Sequence, residues 1–166
     1  KPVYEWWVQR FRSALEIMDL LRIDHFRGFE AYWAVPAAEE TAVNGQWVKG
    51  PGAGLFTAVQ NALGTLPVVA EDLGVITPEV DALRLQFGFP GMKVLQFAFG
   101  GDACNPHLPH NYTDPRCAVY TGTHDNDTTL GWFRTASPKC HAAVLHSLGR
   151  AEGPELYWDM IRLAFS

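Results

Sequence analysis

Asp24, Glu71 and Asp125 stand at or just past the ends of three segments that read as strands. Period-two alternation over Leu20–Phe26 puts Arg22 and Asp24 on one strand face and Leu21, Ile23 and His25 on the other. A guanidinium beside a carboxylate favours the ionised form, which suits a nucleophile. A structural ion pair is the plainer alternative. Glu71 follows Pro67-Val68-Val69-Ala70. Desolvation after such a lead-in favours a carboxyl that keeps its proton, which suits a general acid. Helix capping by Glu71 or Asp72 is the alternative there. Asp125 lies in Thr123-His124-Asp125-Asn126, a row of polar side chains that can hold several hydroxyls of one ligand. His124 has no second His or Cys at metal-binding spacing, so a zinc site is not indicated.

Aromatic residues flank these acids: Tyr32, Trp33, Trp47, Phe97 and Trp132. Their faces match the apolar faces of pyranose rings, and Trp47 and Phe97 are candidate sugar platforms. Ordinary core packing competes for several of them. Gly50-Pro51-Gly52-Ala53-Gly54 lacks the Gly-Lys-Ser/Thr ending of a phosphate loop and reads as a turn with close backbone packing. No Gly-x-Gly-x-x-Gly follows a strand, which argues against a dinucleotide site.

Alternating elements must position these residues. Helical spacing of Trp6, Trp7, Phe11, Ala14, Leu15 and Met18 predicts a helix over 4–18. A short strand follows at Leu20–Phe26, then a long irregular stretch over 27–52. Leu55, Phe56, Val59 and Leu63 define a helix over 53–63 that Gly64 stops. Leu66–Ala70 reads as a strand buried on both faces. Thr77-Pro78-Glu79 is a helix start, with Thr as cap, and that helix runs to Phe87. Lys93–Phe99 and Cys117–Thr121 read as further strands, separated by a loop over 100–116, and residues 138–163 as helical. The class is α/β with a parallel sheet, without a second domain. A parallel α/β fold gathers its chemistry at the carboxyl ends of its strands, where the three acids fall.

Composition narrows the partners. The 166 residues are 48% hydrophobic, 13% aromatic and 19% charged, which excludes disorder. The net charge of −5 comes without a basic stripe, which disfavours nucleic acid. No apolar run has the ~20 residues of a membrane span. Cys104, Cys117 and Cys140 form no disulfide framework, so a reducing compartment is expected. The chain does not begin with Met, and its 166 residues fall well short of the ~250 of a TIM barrel, so a piece of a longer protein is expected.

Several segments carry a resemblance. Leu21-Arg22-Ile23-Asp24-His25-Phe26-Arg27-Gly28-Phe29, Val69-Ala70-Glu71-Asp72-Leu73-Gly74 and Tyr120-Thr121-Gly122-Thr123-His124-Asp125-Asn126-Asp127-Thr128 are similar to catalytic segments of the 4-α-glucanotransferases of glycoside hydrolase family 77. Glu30–Ala37, Trp47–Gly52 and Gly91–Phe99 resemble the family too, in the same order. The resemblance implies a partial TIM (β/α)8 barrel, approximately strands four to seven, forming one fragment over 1–166. It implies Asp24 as nucleophile, Glu71 as acid/base and Asp125 as third carboxylate. Arg22 and His124 would line the donor subsite, with His25, Trp47 and Phe97 as further substrate contacts. No cofactor or metal is implied. The substrates would be malto-oligosaccharides or starch- or glycogen-derived glucans, in the cytoplasm or, in a plant or alga, the plastid. A fragment without the remaining strands is expected to be inactive alone. An α-amylase-type hydrolase shares the acids and is one rival; a non-catalytic α-glucan-binding module is another.

Overall fold

The computed structural model describes residues 2–150 and 155–166. The chain divides into two compact units, one ending at Gly91 and the other beginning at Met92.

The first unit opens with helix α1 (Pro2–Leu15), shorter than expected because the chain turns at Glu16–Met18. Phe11 is its buried anchor, while Trp6 stays exposed. Strand β1 (Leu21–Ile23) is also shorter than the alternation suggested. It stops because His25 takes a left-handed backbone conformation (φ 47°), after which Phe26–Phe29 winds into a 3-10 turn. A non-glycine residue with positive φ is uncommon and ends an extended segment abruptly.

The stretch expected to be irregular contains an antiparallel hairpin. β2 (Ala31–Ala34) and β3 (Gln46–Lys49) pair with Trp33 opposite Trp47. Their rings meet edge-on at 5.4 Å, and the Trp33 indole N–H donates to the Ala42 carbonyl at 2.8 Å. The close packing expected after the hairpin is present: a Cβ on Gly50 would meet the Gly28 and Phe29 carbonyl oxygens.

Helix α2 (Gly52–Leu63) buries Leu55, Phe56 and Val59 completely and packs on α1. Gly64 stops it, with φ 83° and its N–H bonded to the Gln60 carbonyl. Strand β4 (Val68–Ala70) is buried throughout and pairs in parallel with β1, Ile23 opposite Ala70. Helix α3 (Pro78–Gln86) begins at Thr77, which caps through its carbonyl, accepting from Val80 and Asp81. The Thr77 hydroxyl bonds the Glu79 side chain instead, and this holds the Glu79 carboxyl below its ordinary range. A core of Phe11, Phe26, Leu55, Phe56, Val59, Val68, Val80 and Phe89 binds the unit together. Phe56 is its hub, with Phe26, Phe29, Phe87 and Phe89 rings 5.1–5.6 Å away.

The second unit carries most of β5 (Gly91–Val94), which shares a two-stranded sheet with β6 (Cys117–Tyr120). The strand expected to reach Phe99 ends at Val94, and Leu95–Phe97 forms a 3-10 turn. Helix α4 (Thr129–Thr135), absent from the sequence reading, is capped by the Thr128 hydroxyl, which accepts from Gly131 N–H. The helical tail is two helices, α5 (Pro138–Leu148) and α6 (Leu156–Ala164). Gly149, in the left-handed region, ends α5, and residues 151–154 of the expected helix lie outside the described residues. α6 packs on α4 and α5 around Val144, Leu156 and Met160. Asp159 is buried and ion-paired with Arg150 and Arg162 at 3.0 and 2.8 Å.

Candidate active site

In the first unit, β1 and β4 deliver the acids. Asp24 and Glu71 each follow the last paired residues of neighbouring parallel strands, Ile23 and Ala70. Backbone bonding continues past that pair: Glu71 N–H donates to the Ile23 carbonyl and Phe26 N–H to the Glu71 carbonyl, at 2.8 and 3.0 Å. The turn after Asp24 is therefore tied directly to the residue that bears the second acid.

The Glu71 side chain is held as firmly. His25 N–H donates to Oε2 and Leu73 N–H to Oε1, each at 2.7 Å. The left-handed conformation of His25 belongs to the turn that aims its N–H this way. Each carboxylate oxygen retains acceptor capacity beyond its one backbone donor. Its lead-in is buried as expected, while Glu71 itself is half-buried. Helix α3 starts at Thr77, so neither Glu71 nor Asp72 caps it, and Asp72 has another partner. It pairs with Arg84 at 3.1 Å, and a Cβ on Gly91 would collide with its carboxylate.

Asp24 is exposed at the strand end, and Arg22 Nη2 donates to its Oδ1 at 2.9 Å. An exposed pair of this kind contributes roughly 0–1 kcal/mol to stability. Its main effect is to orient the carboxylate. Arg22, Asp24, Ile23, Leu21 and Phe29 line one side of a groove of about 780 Å³ whose other side is α1, including Trp6 and Arg10. Trp47 is half-exposed on the hairpin, with the Arg27 guanidinium over its ring at 4.0 Å.

The second unit holds the remaining candidates. The segment after β6 is wired internally. Thr123 N–H and hydroxyl both donate to Asn126 Oδ1, at 2.9 and 3.0 Å, and Asp125 N–H donates to the Thr123 hydroxyl at 3.3 Å. This leaves the His124 and Asp125 side chains exposed, 3.4 Å apart. Gln96, buried beneath, donates to the Asp127 carbonyl at 3.0 Å and packs against Gly122. Phe97 is partly exposed on its 3-10 turn. His107 meets the Phe97 ring edge-on at 5.5 Å, and Asn105 donates to the Phe97 carbonyl. His107 Nδ1 in turn accepts from Val94 N–H at 3.1 Å.

Sequence reasoning missed Arg27, Gln96 and His107. Arg27 had a visible signal, a cation within His25-Phe26-Arg27-Gly28. Gln96 and His107 had none, because their roles depend on the turns that bury or place them.

The architecture is that of an α/β protein with carboxylates at the ends of parallel strands. The chain belongs to the 4-alpha-glucanotransferase family, glycoside hydrolase family 77, whose profile matches residues 1–166. It is 61% identical over 178 aligned residues to a 4-alpha-glucanotransferase of Thermus thermophilus, covering 98% of this chain and 36% of the relative. It is 56% identical over 164 residues to the Synechocystis 4-alpha-glucanotransferase, covering 98% of this chain and 32% of the relative. Amylomaltase from Streptococcus agalactiae, solved in complex with acarbose, superposes with a TM-score of 0.88 at 37% identity, over 95% of this chain and 32% of that one. The chain spans about a third of the length of these relatives.

Proposed function

We propose that the full-length protein carrying this chain is a 4-α-glucanotransferase, and that Asp24 and Glu71 perform its bond exchange. The observation that carries this is the in-register placement of the two acids on adjacent parallel strands. Neighbouring strands lie ~4.8 Å apart. Two carboxyl groups borne at equivalent positions suit the ~5–5.5 Å separation of a retaining mechanism.

Glu71 protonates the glycosidic oxygen as Asp24 attacks the anomeric carbon. The bond to the leaving glucan breaks, and a covalent glycosyl ester forms on Asp24. The 4-hydroxyl of an acceptor glucan then attacks the same carbon, Glu71 takes its proton, and Asp24 is released. Two inversions give net retention. Asp125 is the third carboxylate, holding sugar hydroxyls and stabilising the oxocarbenium-like transition state. Arg22 and His124 contact the donor sugar; His25, Trp47 and Phe97 are further substrate contacts.

In this reading the chain is one fragment of a catalytic (β/α)8 barrel, with β1, β4, β5 and β6 as its fourth to seventh strands. The parallel β1–β4 pair and the bond from Ala70 N–H to the Pro90 carbonyl, leading toward β5, support that order. Malto-oligosaccharides and starch- or glycogen-derived glucans are the proposed substrates, in the cytoplasm or a plastid. All three cysteines are free, which fits a reducing compartment, and among the described residues no helix is long and apolar enough to cross a membrane.

The test is product analysis of the full-length protein on maltotriose. Glucose and longer oligosaccharides should form while total reducing ends stay constant. Reducing ends that rise with every bond broken would establish the amylase-type hydrolase instead.

A further inference from the structure

Arg27 has surroundings that the proposed reaction does not use. It is a charged residue only 6% exposed, and among the described residues it forms no ion pair. Its Nη1 donates to the Val75 carbonyl, its guanidinium lies over the Trp47 ring at 4.0 Å, and its buried Nε has no hydrogen-bond partner. A buried cation with one carbonyl and one ring face for company is a poor stabiliser of a fold, since burying charge is expensive unless it is fully paired.

Its position in the chain explains it better. Arg27 sits on the turn that begins at Asp24, two residues after His25, whose N–H holds Glu71 Oε2. It reaches across to Val75, two residues after Leu73, whose N–H holds Glu71 Oε1. The two backbone donors that fix the Glu71 carboxyl therefore come from two segments, and Arg27 joins those segments. We propose that Arg27 is a positioning residue: by tying the 73–75 segment to the turn after Asp24, it keeps both N–H donors on Glu71 and so holds the acid/base in place. The proposal rests on the reading of Glu71 as acid/base.

The experiment uses the full-length protein with Arg27→Met, which keeps an apolar stem against Trp47, and Arg27→Lys, which keeps one cationic donor. Specificity constants are measured for two donors that pass on the same maltosyl group. One is maltotriose, whose leaving group needs a proton; the other is an activated aryl maltoside, whose leaving group does not. Misplacement of a reacting group on the order of an ångström costs about 100-fold. Arg27→Met should lose about that factor in kcat/KM on maltotriose and far less on the aryl donor, with melting temperature within a few degrees of wild type. Arg27→Lys should fall between Met and wild type. Equal losses on both donors would overturn the proposal, since Arg27 would then act on binding through Trp47. So would unchanged activity, or failure of both variants to fold, which would make the role one of folding. Glu71→Gln, run alongside, separates the two layers: if it leaves maltotriose turnover intact, the functional reading fails; if it cuts maltotriose turnover while Arg27→Met leaves it unchanged, only the Arg27 proposal fails.

Discussion

At the scale of single residues, the roles proposed for Asp24 and Glu71 make different predictions. Removing a nucleophile abolishes transfer to every donor, so Asp24→Ala should eliminate turnover by the full-length protein while glucan binding, measured by calorimetry, persists. Removing a general acid is felt in proportion to the basicity of the leaving group. Glu71→Gln should lose about 10²–10⁴-fold on maltotriose and much less on an activated aryl donor. Burial pushes the Tyr112 hydroxyl up to about 12 from its ordinary value of 10. The folded chain then holds a proton that the unfolded chain gives up between those values. Tyr112 therefore contributes stability that is fully present below pH 10 and is lost as pH rises toward 12. Urea melts at pH 9 and 11 should show a smaller drop for Tyr112→Phe than for wild type. The positions of the acids were legible because each lies at or just past a short segment that reads as a strand, most plainly Glu71 after Val68-Val69-Ala70. Their fixation was not legible. It depends on a left-handed His25, and neither glycine nor asparagine marks that site.

At the scale of elements, what was legible follows the strength of the local signal. Helix α2 has its apolar residues at clean helical spacing and a glycine stop, and it forms where expected. The β2–β3 hairpin was hidden. Its strands show no clean alternation, and the loop between them, residues 35–45, is far longer than the short connections of ordinary hairpins, so Asn44-Gly45 does not mark a two-residue turn joining them. The apolar run Leu95–Phe99 reads as strand but winds into a 3-10 turn, where Gln96 finds a buried partner in the Asp127 carbonyl. Helix α4 was hidden by Thr129 and Gly131, both weak helix formers, and is started by the Thr128 cap. The aromatic hub makes a sharp prediction at this scale. Phe56 is fully buried among four other phenyl rings that cannot all collapse into its space. Phe56→Ala should destabilise the first unit by about 3–5 kcal/mol, read from urea unfolding.

At the scale of the molecule, the chain spans about a third of its relatives' length and forms two compact units, each with its own core. The acids divide between them, Asp24 and Glu71 in the first and Asp125 in the second. Residues 1–166 alone should accordingly give no measurable redistribution of maltotriose, whereas the full-length protein should. Robust turnover by 1–166 would contradict the fragment reading. In the proposed mechanism a glucan becomes covalently attached to Asp24. Giving the full-length Glu71→Gln variant an α-maltosyl fluoride, whose leaving group needs no acid, and mapping the digested protein by mass spectrometry reads that attachment. A maltosyl adduct should appear on the peptide containing Asp24. An unmodified Asp24 peptide, with the adduct on another residue, would contradict it.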